Sequence, residues 1–90
     1  MAVEVRIPTI LRQYTSGSKA VEGSGGTLAA LIDDLESRHP GLRDRLIEGD
    51  ALRRFINVYL NDEDVRFLDG LATPVGDGDS VTVLPAVAGG

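Results

Sequence analysis

Ser80-Val-Thr-Val-Leu-Pro-Ala-Val-Ala-Gly-Gly90 decides the reading of this chain. Val81 and Val83 alternate with Thr82 and Leu84, the period-two pattern of a strand with one buried face. Pro85 has no N–H to donate, so ladder pairing ends there. The residues after it carry no charge: Ala86, Val87, Ala88, then Gly89-Gly90. Without a Cβ, glycine backbone can enter a narrow cleft, so the carboxylate of Gly90 can be offered as a reagent. A frayed chain end fits the same residues, because termini are commonly loose and tolerant. The rest of the chain has to separate these readings.

Outward from that stretch, Val3, Val5 and Ile7 alternate with Ala2, Glu4 and Arg6, predicting a half-buried strand over residues 2–7 that Pro8 ends. Gln13 to Lys19 is polar and holds a turn signal at Gly17, and Lys19 to Gly23 reads as a weaker second strand forming a hairpin with the first. Thr27 reads as a helix N-cap after the Gly25-Gly26 breaker. Leu28, Leu31, Ile32 and Leu35 then make one apolar stripe, with Asp33, Asp34 and Glu36 off it, until His39-Pro40-Gly41 stops the helix. Leu42, Leu46 and Ile47 predict a further turn or two of helix between Gly41 and Gly49. Phe55 to Leu60 is the next expected strand, with Ile56, Val58 and Leu60 on one face and Phe55, Asn57 and Tyr59 on the other. A turn at Asn61 to Asp64, a short strand at Val65 to Phe67 and a turn at Asp77-Gly78-Asp79 complete the order. One amphipathic helix on one face of a mixed sheet is an α+β arrangement.

Ninety residues make a single domain with one modest core. The absence of cysteine excludes a disulfide scaffold and a thiolate enzyme, and His39 as the only histidine argues against a multi-ligand zinc site. Nine basic against fourteen acidic side chains leave a net charge of −5, which phosphate backbones would repel. An acidic protein of this kind suits docking onto basic patches of partners. No stretch has the length of a membrane span, and Met1-Ala-Val-Glu-Val-Arg6 lacks the form of a signal peptide, so the cytoplasm is the expected location.

Motifs with chemistry of their own fail on spacing. Gly23-Ser24-Gly25-Gly26-Thr27 lacks the lysine of a phosphate loop, and Leu28 stands where a dinucleotide loop needs its third glycine; it reads as a turn plus N-cap. Asp62, Glu63 and Asp64 open like a calcium loop, but Arg66 and Phe67 occupy positions that should be a ligand and a glycine. His39 has no partnered serine or cysteine and reads as a helix C-terminal residue. No constellation supports an enzyme. Phe55, Asn57 and Tyr59, with Thr82 and Leu84, fall on the sheet face away from the helix, where clustered aromatic groups predict a docking patch.

Several segments together carry a family resemblance: Ile7-Pro-Thr-Ile-Leu-Arg12, Val58-Tyr-Leu-Asn-Asp-Glu-Asp-Val-Arg-Phe67, Gly70-Leu-Ala-Thr73, Asp77-Gly-Asp-Ser-Val-Thr82 and Leu84-Pro-Ala-Val-Ala-Gly-Gly90. In these the chain resembles the β-grasp, ubiquitin-like sulfur carriers of the ThiS and MoaD type, nearest to their CysO group. The resemblance implies a β-grasp domain over residues 1–85 and a flexible tail over residues 86–90, with the last strand central and parallel to the first. Fully extended, that tail would reach roughly 17 Å. It further implies that a ubiquitin-activating-type enzyme uses ATP and Mg²⁺ to adenylate Gly90. Sulfur then displaces AMP to leave a thiocarboxylate, while Ala86, Val87, Ala88 and Gly89 lie in the partner's cleft at little desolvation cost. No cofactor is expected on the carrier itself. The implied partners are the adenylating enzyme, a sulfur-accepting synthase and a metallopeptidase, with PLP and zinc on those downstream proteins. Cysteine is the first expected product, with thiosugar, thiamin and molybdopterin pathways as others. A ubiquitin-like protein modifier and a plain β-grasp interaction module are the rival expectations.

Overall fold

The computed structural model describes residues 2–85. Met1 and the expected tail, residues 86–90, lie outside the described residues. Strands β1 (Val3–Arg6) and β2 (Ala20–Gly23) form an antiparallel hairpin, with Val5 opposite Val21 and Arg6 opposite Ala20. Helix α1 (Leu28–Arg38) follows, then a short α2 (Leu42–Leu46) and a two-stranded hairpin, β3 (Ile47–Glu48) with β4 (Ala51–Leu52). Strand β5 (Ile56–Leu60), the short β6 (Glu63–Asp64) and β7 (Ser80–Pro85) complete a five-stranded sheet in the order β2-β1-β7-β5-β6. β7 is central, parallel to β1 and antiparallel to β5. This is the β-grasp arrangement, as the resemblance implied.

The alternation in the sequence decides which sheet face is covered. Val3, Val5, Val81, Val83, Ile56 and Val58 are all buried and meet the stripe Leu28, Leu31, Ile32 and Leu35 of α1. Each such side chain contributes about 1.5–3 kcal/mol by leaving water. Thr27 caps α1 as expected, its hydroxyl accepting from the Ala30 N–H at 3.2 Å. At the other end the His39 N–H donates to Leu35 O at 2.7 Å, and Gly41 takes a left-handed φ of 97° to start α2. The Glu36 carboxylate reaches past this turn and accepts from the N–H groups of Gly41 and Arg43 at 2.9–3.2 Å. Those amides, Gly41 first, hold Glu36 below the ordinary carboxylate range.

Four local expectations are corrected. The polar stretch Gln13 to Lys19 is only partly a turn: residues Thr9–Thr15 form a 3₁₀ helix that buries Leu11 and Thr15, and Ser16 and Gly17 then turn with φ of 55° and 86°. Val65–Phe67 is a 3₁₀ turn and not a strand, because the Asp64 carboxylate accepts from the Arg66 N–H at 2.8 Å and caps it. The strand lies just before it, at Glu63–Asp64, where Asn61 and Asp62 both have positive φ and close a tight hairpin from Leu60 to Glu63. Phe55 precedes its strand, since the Ile56 N–H donates to Arg53 O in a turn at 3.1 Å.

Candidate functional site

The sheet face away from α1 is open, and strand register sets what it displays. One row crosses all five strands: Ala20, Arg6, Thr82, Tyr59 and Asp64, each opposite the next. In the adjacent row Leu84 stands opposite Asn57. Tyr59, Thr82 and Leu84 line one shallow depression together with Asp62, so three of the residues that alternation assigned to a docking patch do adjoin. Leu84 is 45% exposed, while Tyr59 and Asn57 are half-buried.

Asn57 and Phe55 stand differently from that group. The Asn57 Oδ1 accepts from the Arg66 guanidinium at 2.7 Å, and the same guanidinium donates to the carbonyl of Arg53 at 3.0 Å. Arg66 therefore ties the start of β5 to the 3₁₀ turn after β6, and Asn57 is engaged within the domain. Sequence reasoning missed Arg66 because nothing in Val65-Arg66-Phe67 signals a clamp on a strand nine positions away. Phe55, 64% exposed, lines a different groove with Ile10, Tyr14, Arg45, Arg53 and Pro85.

That groove and a second one meet where the described chain ends. The second is lined by Arg6, Ile10, Arg12, Lys19, Leu84 and Pro85, so Ile10 and Pro85 border both. Ile10 is 59% exposed. Pro85, the last described residue, thus lies between exposed apolar side chains. Ala86, Val87, Ala88, Gly89 and Gly90, expected to enter a partner cleft and to bear the reacting carboxylate, fall outside the described residues.

The acidic turn that feeds β7 has structural partners. Asp77 accepts from the Ala2 N–H at 3.0 Å, and Asp79 accepts from the Gly76 N–H at 2.8 Å and from the Asn61 amide at 3.1 Å. Among the described residues no group of three His, Asp or Glu side chains is gathered to hold a metal. The Gly23–Thr27 loop packs on α1: a Cβ at Gly25 would lie 2.5 Å from the Leu31 amide nitrogen, which is why glycine stands there. No helix among the described residues is long and apolar enough to cross a membrane.

Known proteins share this framework throughout. The chain matches the ThiS family over residues 5–90. It is 58% identical to the sulfur carrier protein CysO of Mycobacterium tuberculosis (strain ATCC 25618 / H37Rv), with 100% of both chains covered. It is 37% identical to the small archaeal modifier protein 3 of Haloferax volcanii, again over 100% of both. A chain in the crystal structure of the Amycolatopsis orientalis BexX/CysO complex matches with a TM-score of 0.94 at 61% identity, covering 99% of this chain and 100% of that one.

Proposed function

This chain belongs to the ThiS family and is a sulfur carrier, and from that premise we propose that the carboxylate of Gly90 is the group that bears the sulfur. The observation that supports this is the 58% identity to a CysO carrier in an alignment that covers 100% of both chains, the segment ending in Gly89-Gly90 included. A carboxylate is a poor electrophile because its leaving group would be oxide. An adenylating partner supplied with ATP and Mg²⁺ joins AMP to the Gly90 carboxylate and releases pyrophosphate. Sulfide sulfur then attacks the acyl carbon, AMP leaves, and a thiocarboxylate remains. The carrier contributes presentation: Pro85 ends ladder pairing, and Ala86 to Gly89 bring no charge into the partner's cleft. It catalyses nothing itself and works in the cytoplasm.

Cysteine is the proposed destination of the sulfur, through a PLP-dependent synthase that accepts it and a zinc metallopeptidase that frees the product. The BexX/CysO complex of the similar Amycolatopsis orientalis protein supports direct docking of the carrier onto a partner protein. Intact mass after incubation with ATP, Mg²⁺, sulfide and the adenylating enzyme tests the reading. The expected product has one oxygen replaced by sulfur, and deletion of Gly90 abolishes it while the domain still folds.

A second reading rests on the similar small archaeal modifier protein 3. The same adenylate, attacked by a lysine amine of a target protein, would give an isopeptide conjugate. Protein conjugates without any thiocarboxylate would favour that reading over the carrier.

A further inference from the structure

Resting on the carrier reading, we propose that a collar of cations around Pro85 seats the tail exit against a partner cleft rimmed with carboxylates. The collar consists of Arg6, Arg12 and Lys19 on one groove and Arg45 and Arg53 on the other. The net charge of −5 favours partners with basic surfaces, yet the two grooves at the exit are lined by these five cations and by one carboxylate, Glu4. Topology separates the two signs of charge. Asp62, Glu63, Asp77 and Asp79 sit by the start of β7, because β5 runs antiparallel to it and the Asp77–Asp79 turn feeds it. The collar surrounds its other end. Six residues of strand put these poles about 17 Å apart.

The two groups of cations are also paired differently. On the helical side Arg38 meets Asp34 at 2.8 Å and Arg43 meets Asp33 at 2.9 Å. In the collar, Arg6 and Arg53 have carboxylates only at 4.0 and 3.8 Å. Among the described residues Arg12, Lys19 and Arg45 have no ion pair within 4.0 Å. Neutral oxygens hold the guanidinium groups instead: Arg12 donates to Ile7 O at 3.1 Å, Arg53 to Asp44 O at 2.6 Å, and Arg45 to the Tyr14 hydroxyl at 2.7 Å. Arg45 also lies 5.5 Å from the Tyr14 ring centroid. Held this way they keep their charge and lose less freedom on docking.

Exposed apolar groups (Ile10, Phe55 and Leu84) at the exit and cations around them match the anatomy of a protein interface, an apolar centre with a charged rim. A partner that must thread the tail has its tunnel mouth at this position, so its rim is where complementary carboxylates would act. Such a charge pattern also turns the carrier in solution, since an acidic mouth repels the far pole and attracts the exit.

The test is carrier-dependent ATP–pyrophosphate exchange by the adenylating enzyme, with carrier concentration and salt both varied. Simultaneous Arg12→Glu, Lys19→Glu and Arg45→Glu should raise KM at least about tenfold, since three attractive rim contacts become repulsive. For the unaltered chain KM should climb with salt, and for the triple variant it should fall as repulsion is screened. Lys19→Glu alone, which removes no hydrogen bond or ion pair among the described residues, should shift KM the same way by a smaller factor, guarding against a misfolded triple variant. Asp69→Lys, which moves net charge in the opposite sense at a residue lining neither groove, should leave KM within about twofold. Unchanged KM in both collar variants overturns the proposal. So does concentration-dependent self-association that the triple variant abolishes, because the collar would then serve a second copy of this chain. Failure of the unaltered chain to be adenylated at all would instead remove the carrier reading, and the collar's role with it.

Discussion

Replacing Gly25 with alanine puts a Cβ 2.5 Å from the Leu31 amide nitrogen and 2.8 Å from the Ala30 carbonyl carbon. Both atoms belong to the backbone of α1, so no side-chain rotation relieves the clash. The loop must lift from the helix, and it is tied down: Thr27 caps α1, Leu28 N–H donates to Thr73 O at 2.9 Å, and Val75 N–H donates to Gly26 O at 3.2 Å. Overpacking costs about 1–3 kcal/mol, and an immovable backbone contact puts this case at about 3 kcal/mol. In a domain of this size that lowers Tm by roughly 12–24 °C. Gly26→Ala is the matched control, because its Cβ meets nothing within 4 Å and neither glycine has a left-handed φ. It should stay within about 0.5 kcal/mol of the unaltered chain. Urea unfolding followed by circular dichroism gives both midpoints. Equal midpoints for the two variants would refute close approach as the reason for Gly25. A phosphate-cradling loop would have shown the opposite pattern, with a ligand affinity lost and the fold intact.

Tyr59→Asp and Leu84→Asp should each weaken docking to the adenylating enzyme about tenfold or more, measured by calorimetry, because each places a charge in the depression they share. Unaltered affinity in both would move the docking surface off this face. For Glu36 the sign follows from its lowered pKa: the carboxylate stabilises the fold above the ordinary glutamate range, and that contribution is lost as pH falls through the lowered folded value. Glu36→Gln should therefore be less stable than the unaltered chain near neutrality, with the gap closing in acid. A gap in melting temperature that stays constant from neutral pH into acid would contradict this assignment.

Much of the architecture was legible because long periodic segments bury one face. The Leu28, Leu31, Ile32 and Leu35 stripe and the valines at 3, 5, 81 and 83 could satisfy their spacing only as a helix and as strands. Short segments were not legible in the same way. Val65-Arg66-Phe67 has three residues and no period to read, and a single Asp64 cap made it a 3₁₀ turn. Phe55 kept the parity of its strand in the sequence, yet a turn closed by Arg53 and Ile56 left it outside the ladder. Of the expected site, Tyr59 and Leu84 adjoin as strand parity required, whereas the engagement of Asn57 by Arg66 depends on how the turn after β6 folds back.

What the chain determined by sequence alone was local and additive: which residues alternate, where Thr27 begins a helix, where Pro85 ends pairing, and that an uncharged segment closes on Gly-Gly. Net charge belongs to the same kind, since it is a sum with no position in it. The tertiary structure alone decided that Arg6, Arg12, Lys19, Arg45 and Arg53, scattered between the first strand and the approach to β5, gather around Pro85. They meet there because β1 runs parallel to β7 and β5 antiparallel, which brings the end of one and the start of the other to the same edge. Strand direction is a long-range choice made by packing around a shared core, and no local pattern in the sequence encodes it.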